Sequence, residues 1–374
     1  MRSQDQFDQW RIERKGGLPS FNIPYFELIE KGGKPDFKES IRAAIQTELL
    51  PKLPKNQPII VVCAKGDTSN IIAELLREQG FNALNLSGGM KSWGSFYSQK
   101  WVVRSEQLSI LQCIRVARGC LSYVIASKGS AVIIDPFRDV AFYQDLLKNW
   151  PVKLERVFDT HAHADHISGA RALAKHYQVP YLLHPYDAIH PMDMLPARFP
   201  YEPSWADRTY QLGQVSIRAI HIPGHTLGSL AFLVDNRYLF CGDSIFIQSL
   251  ARPDLGGHAK AWTPLYYRSL QALCHLSEDL LVLPAHFSSP EEANDDHTYG
   301  KTLRELKQTN EELKLVQKPL ETFDGYITGH LPEFPAEYID IKRVNLGLLE
   351  PSEERAEELE LGKNKCAMNR ALGS

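Results

Sequence analysis

Thr160-His161-Ala162-His163-Ala164-Asp165-His166-Ile167-Ser168-Gly169 packs three imidazoles and a carboxylate into six consecutive positions. The stretch follows a strand-like run, Leu154 to Phe158. It precedes a helical pattern in which Ile167, Ala170, Leu173, Ala174 and Tyr177 recur at three- and four-residue steps. A loop held between a strand and a helix can aim several side chains at one centre. Neutral imidazole and carboxylate are ligands for zinc and for non-haem iron. One histidine here would be read as a solvated or capping loop residue; three with an aspartate are read as a metal-binding loop.

The same design recurs downstream. Val215, Ile217 and Ala219 alternate toward Pro223-Gly224-His225-Thr226. Tyr238-Leu239-Phe240-Cys241 ends at Gly242-Asp243, and Leu280-Leu281-Val282-Leu283 ends at Pro284-Ala285-His286. Each time an apolar strand stops and the next few residues carry His or Asp. Upstream, Ser109 to Val116, Ser122 to Ala126 and Ala131 to Asp135 read as short strands, with a hairpin turn at Lys128-Gly129. Thr263-Pro264 reads as a helix start, a capping residue followed by proline.

In this order, HxHxDH, PGHT, GD and a strand-end His resemble the metallo-β-lactamase superfamily over residues 105–300. The resemblance implies an α/β fold, an αββα sandwich with the metal at one edge. It also implies seven potential ligands: His161, His163, Asp165, His166, His225, Asp243 and His286. Two branches use them differently. In hydroxyacylglutathione hydrolases all seven hold two metals, with the aspartate at the Asp243 position shared, and the substrate is a thioester. In persulfide dioxygenases one Fe(II) is held by residues matching His161, His225 and Asp243. His163, Asp165, His166 and His286 then orient ligands and waters. Arg252-Pro253-Asp254, shortly after Asp243, resembles the dioxygenase branch; Arg252 is expected to contact a substrate carboxylate or to pair with Asp254. The expectation is one Fe(II) per chain, with two Zn(II) or a mixed Zn/Fe pair as the alternative. Catalytic roles fall to Asp165 here and to Cys63 in the N-terminal part. The expected substrates are O2 and a persulfide of glutathione or a similar thiol, or else a glutathione conjugate.

In the N-terminal part, Pro58 to Val62 reads as a strand ending at Cys63. A turn through Gly66 and a helix from near Asn70 follow. A thiol between a strand end and a helix N-terminus faces amide N–H groups, which favour thiolate. Cys63, Gly66 and Ser69, with Leu86-Ser87-Gly88-Gly89-Met90-Lys91-Ser92-Trp93, resemble a rhodanese domain, a sulfurtransferase fold. The resemblance departs at Ala64 and Thr68, where arginines are often found, and at the front. There Phe7, Trp10, Arg11 and Ile12 have no first strand before them, and Asn22 to Phe26 lead into a helical insert ending near Pro54. A partial or diverged rhodanese-like α/β domain over residues 1–98, or a start further upstream, would both fit. Ser95 to Gln107 is read as a linker. Residues 301–374 are read as an amphipathic helix (Leu303, Leu306, Asn310, Leu313, Leu315) and an extended segment, Leu331-Pro332 to Gly347, packed on the sandwich. Glu350 to Glu360 is read as a solvated acidic helix or tail. A non-catalytic sulfur carrier remains as a further reading.

Composition bounds the rest. The chain has 374 residues, enough for two domains, and a net charge of −3, so neither nucleic acid nor membrane is an expected partner. No apolar run reaches transmembrane length and the first residues lack a signal-peptide core. A cytoplasmic location is therefore expected, and a secreted β-lactamase is not. The six cysteines lack a CxxC pairing and are expected to be free thiols. Homo-oligomer formation is left open.

Overall fold

The computed structural model describes residues 4–17, 19–24, 30, 36–331 and 333–366. Tyr25, Phe26 and Pro332 of the readings above lie outside them. The chain divides into two compact units, Met1–Phe96 with Val116–Arg118, and Tyr97–Arg115 with Gly119–Ser374. No helix among the described residues is long and apolar enough to cross a membrane.

In the first unit β1 (Ile59–Val61) pairs in parallel with β2 (Ala83–Asn85). Among the described residues these are its two strands, so the sheet is a small one. The helix after Cys63 spans Asp67–Glu78 and starts three residues ahead of the expected Asn70. Gly66 explains the early start: its φ of +97° turns the chain within one residue, a conformation that L side chains rarely adopt. Ile72, Ala73, Leu75 and Leu76 of this helix bury against Ile41, Ala44, Ile45 and Leu49. These come from the helical stretch Phe37–Ala44 and its one-turn π extension Ile45–Leu49. The Gly-Gly-Met segment closes on the Cys63 loop, with Met90 N donating to Cys63 O at 2.9 Å and Lys91 N to Ala64 O at 3.1 Å.

The second unit carries two sheets. The first runs in chain order: β3 (Tyr97–Arg104), β4 (Ser109–Arg115), β5 (Cys120–Ser127), β6 (Ser130–Ile134), β7 (Lys153–Phe158), β8 (Tyr181–Leu183) and β9 (Glu202–Pro203). The second does too: β10 (Thr209–Leu212), β11 (Val215–His221), β12 (Leu230–Val234), β13 (Tyr238–Gly242), β14 (Leu281–Pro284) and β15 (Lys301–Thr302). Their inner faces meet through aromatic edges, Phe158 on Phe232 and Tyr123 on Phe240, with centroids 4.9 and 4.8 Å apart. On the outer face of the first sheet, Tyr143, Leu146, Leu147, Ala170 and Leu173 cover Val124, Ile133 and Val157. On the outer face of the second, Tyr266, Leu270 and Leu273 cover Ala231, Leu233 and Leu239. Side chains alternate across each strand, so residues two apart enter the same layer. The result is helix, sheet, sheet, helix, the αββα order expected.

Four readings need correction. The stretch read as a linker from Ser95 is largely strand β3, paired antiparallel with β4; its Tyr97 and Trp101 pack on Phe137 and Trp150. Pro264 does not open a helix but lies within Ala259–Cys274. The helix expected from Leu303 to Leu315 breaks at Asn310. There the side chain caps the next turn through Leu313 N and donates to the carbonyls of Phe246 and Ser249. The segment read as extended to Gly347 contains a helix, Glu337–Asn345, with Tyr338, Ile341 and Val344 buried at three-residue steps.

Candidate metal centre

The loop after β7 is braced from two sides. Asp135 follows the end of β6 with a φ of +52°. Its Oδ1 accepts Thr160 N at 2.7 Å and His163 Nε2 at 3.1 Å, and its Oδ2 accepts Thr160 Oγ1 at 3.0 Å. Asp187 Oδ2 accepts both Ala162 N and Thr226 Oγ1 at 2.7 Å, tying this loop to the one that carries His225. From the other side Asn345 Nδ2 donates to the carbonyls of His163 and His166, at 2.8 and 2.9 Å. Glu360 Oε1 accepts Ile167 N at 2.9 Å while its Oε2 pairs with Arg115 and Arg138 at 3.0 and 3.2 Å. Glu360 is thus a buried brace, not part of a solvated acidic run.

All seven expected ligands are buried. Hydrogen bonds to the far nitrogen set the tautomer of each ring. His161 Nδ1 lies 3.0 Å from Thr160 Oγ1, which donates to Asp135 and so accepts from the ring. His225 Nδ1 donates to the Arg252 carbonyl at 2.7 Å, and His166 Nδ1 to Asp165 Oδ1 at 3.1 Å. The opposite atoms, His161 Nε2, His163 Nδ1, His166 Nε2 and His225 Nε2, make no hydrogen bond, and neither does Asp243 Oδ2. Each such atom costs about 1–3 kcal/mol if nothing satisfies it. Ligand atoms of His161, His225 and Asp243 lie within 4.8 Å of one another. Asp165, His166 and His286 form a second such group with Cys120. The ring of His163 stands between the two, its centroid 4.1 Å from those of His161 and His166. Buried imidazole nitrogens that lack a hydrogen bond and lie close to a carboxylate are what a cation requires, so this donor set fits a metal.

The charges agree. Burial drives His161 well below the ordinary histidine range and His166 down to about 4, with the neighbouring His163 adding to both. Burial also opposes charge on His163, but Asp135 and Asp159 overcome it and push it up to about 9. Burial would raise Asp243; His286, His225 and His161 outweigh it and hold the carboxyl well below the usual range. His286 spans both acids, Nδ1 2.5 Å from Asp243 Oδ1 and Nε2 2.8 Å from Asp165 Oδ2. Burial opposes its charge, yet the two carboxylates raise it well above its ordinary value.

Arg252 is closed in by its neighbours. It is 1% exposed, pairs with Asp254 at 2.6 and 2.8 Å, and lies over the Phe334 ring. Of its two expected roles, pairing with Asp254 is the one observed, and its backbone carbonyl orients His225. In the first unit, Cys63 is buried beside its amide cradle. Gly66 N lies 3.1 Å, Ser69 N 3.5 Å and Ser69 Oγ 3.2 Å from Sγ. Burial raises the Cys63 thiol, but the Ser69 and Gly66 hydrogen bonds outweigh it and lower the pKa below the ordinary thiol value.

Asp135 escaped the sequence reading although it follows the strand-end rule that found the others. Asp187, Asn345 and Glu360 carry no comparable signal, because they act on the loop from distant parts of the chain.

Residues 115–296 match the model of the metallo-β-lactamase superfamily, and residues 1–95 that of the rhodanese-like domain. An uncharacterized protein of Mycobacterium leprae is 31% identical over 193 residues, 46% of this chain and 87% of that protein. The chain belongs to the metallo-β-lactamase superfamily. It also carries an N-terminal rhodanese-like domain. A hydroxyacylglutathione hydrolase of Aeromonas hydrophila is 30% identical over 166 residues, 44% of this chain; the match spans 59% of that protein's length. Two solved structures share the fold. The metallo-β-lactamase from Staphylococcus aureus has a TM-score of 0.58 and 24% identity, covering 64% of this chain and 72% of that one. ETHE1 from Myxococcus xanthus has a TM-score of 0.50 and 23% identity, covering 65% and 95%. Superfamily members are metalloenzymes and their fold binds metal ions, in keeping with the His and Asp groups described above.

Proposed function

We propose that this chain is a persulfide dioxygenase holding one Fe(II) through His161, His225 and Asp243, with the balance R–S–SH + O2 + H2O giving R–SH and sulfurous acid. The observation that carries the reading is the convergence of two imidazole nitrogens and one carboxylate oxygen within 4.8 Å, all buried. Two histidines and one carboxylate are the ligand set of non-haem Fe(II) oxygenases. Ferrous iron bound there would supply the redox chemistry that dioxygen needs. The chain's own residues set the geometry. Thr160 and the Arg252 carbonyl fix the rings of His161 and His225, and burial excludes water. His286 bridges Asp165 and Asp243, with Nε2 and Nδ1 2.8 and 2.5 Å from their carboxylate oxygens. A sulfur substrate is supported by the Arg252-x-Asp254 resemblance and by the low-pKa thiol of Cys63 in the rhodanese-like domain. One chain carrying both domains raises the effective concentration of a shared sulfane-sulfur intermediate.

A second reading, a dinuclear thioester hydrolase, is favoured by the Asp165, His166 and His286 group and by the hydroxyacylglutathione hydrolase relative. Metal analysis of protein purified without oxygen, alongside an oxygen electrode fed with glutathione persulfide, separates them. A single iron per chain with sulfite production supports the dioxygenase. Two metals per chain, cleavage of S-lactoylglutathione and no oxygen uptake would overturn it.

A further inference from the structure

Cys366 is a buried thiol with no place in either reading. Its Sγ and one carboxylate oxygen each of Asp165 and Asp243 lie within 4.8 Å of one another. The segment that carries it is pinned on both sides. Asn364 Nδ2 donates to the carbonyls of Phe287 and Gly119 at 3.4 and 3.5 Å, next in sequence to His286 and Cys120. Lys365 N donates to Tyr338 Oη at 2.9 Å, and that oxygen lies 3.6 Å from the Cys366 sulfur. Tyr338 stands on the same helix as Asn345, which grips the carbonyls of His163 and His166. One helix therefore fixes both the histidine loop and the thiol.

Beside two carboxylates a thiol has poor company. A cation among these groups would give all three a shared partner, since a thiol that coordinates a metal does so as thiolate. His161 Nε2, His225 Nε2 and Asp243 Oδ2, which make no hydrogen bond, point to a cation beside Asp243, the carboxylate that Cys366 also approaches. We propose that Cys366 supplies a thiolate ligand to the metal bound through Asp243. A sulfur-containing substrate then competes with it for the metal, and the segment after the helix Glu353–Leu359 acts as a built-in competitor. The inference rests on the metal reading above and is independent of whether the metal's reaction is oxidation or hydrolysis.

Cobalt(II) is the probe. The cobalt-loaded protein is expected to show a near-ultraviolet thiolate-to-cobalt charge-transfer absorption. Cys366→Ser should lose it, whereas Cys120→Ser and Cys63→Ser should keep it. Cobalt content is measured on the same samples. Wild-type protein that binds cobalt without this absorption overturns the thiolate ligand, as does a band that survives in Cys366→Ser. Wild-type protein that binds no cobalt overturns the metal reading itself, and the ligand with it. Alkylation of the wild-type protein followed by peptide mass spectrometry needs no variant: cobalt should protect Cys366, and equal labelling with and without cobalt sinks the proposal.

Discussion

Replacing Asp135 with asparagine should weaken metal binding without touching a ligand. The carboxylate is 1% exposed and takes three hydrogen bonds: Thr160 N, Thr160 Oγ1 and His163 Nε2. An amide can accept on one side only, so one of these donors meets an NH2 group. The bond to His163 loses its charge assistance, and hydrogen bonds to charged groups are worth about 1.5–3 kcal/mol. At 1.4 kcal/mol per decade this is roughly a 10- to 100-fold loss of affinity. Outer partners of metal-ligating histidines generally have effects of that size. One effect opposes it. Asp135 also pushes the pKa of His163 up to about 9, and in the two-metal reading, where His163 is a ligand, the proton held there must leave when a metal binds. A raised pKa means that this competition fades as pH rises through it. The loss should therefore be fullest above pH 9 and partly masked at pH 7. Competition against a chromophoric chelator for zinc or cobalt at both pH values reads the difference, with far-ultraviolet circular dichroism as the folding check. Thr160→Val, which leaves the Asp135–His163 bond in place, should lose less. Affinity within about twofold of wild type above pH 9, in a folded Asp135→Asn protein, would refute the orienting role.

Asp243→Ala should abolish both metal retention and turnover, as metal analysis and an oxygen electrode would report; full metal content in this variant would contradict the ligand assignment. Ser69→Ala should raise the apparent pKa of Cys63, because it removes one of the hydrogen bonds that favour thiolate. The alkylation rate rises with pH as thiolate forms, so its midpoint should move to higher pH, and an unmoved midpoint would argue against the cradle. Cys63→Ser should leave oxygen uptake on glutathione persulfide largely intact; loss of uptake would show that the two domains are obligately coupled. Gly242→Ala should cost at least about 1–2 kcal/mol in urea unfolding, the penalty of a left-handed L residue. The backbone φ there is +54°, and a Cβ would sit 2.5 Å from Thr160 Oγ1. That hydroxyl is already shared between Asp135 and His161, so metal affinity should fall as well.

Much of this molecule can be read from the string of residues alone. Ligand types crowded into His161 to His166, and strands that stop at His225, Asp243 and His286, already imply one polar site built from strand ends, and the resemblance those motifs carry implies the sandwich. Strand alternation and ligand spacing are local properties, and local properties survive without coordinates. The Cys63 turn is legible for the same reason, although Gly66 starts its helix earlier than periodicity indicates. What the string did not disclose comes from contacts between remote segments. Arg252 has the look of a substrate clamp until Asp254 takes its guanidinium. Glu360 sits in an acidic run that looks solvated, yet it is buried between two arginines under the histidine loop. Asn345 lies in a proline-flanked stretch that looks extended, yet a helix carries it to the carbonyls of His163 and His166. The Cys366 thiol meets Asp165 and Asp243 from some two hundred residues and more than a hundred residues away in sequence. A side chain's type and its near neighbours are encoded along the backbone. Which buried charge or thiol it meets is decided only when the sandwich closes and burial makes every unpaired polar atom costly.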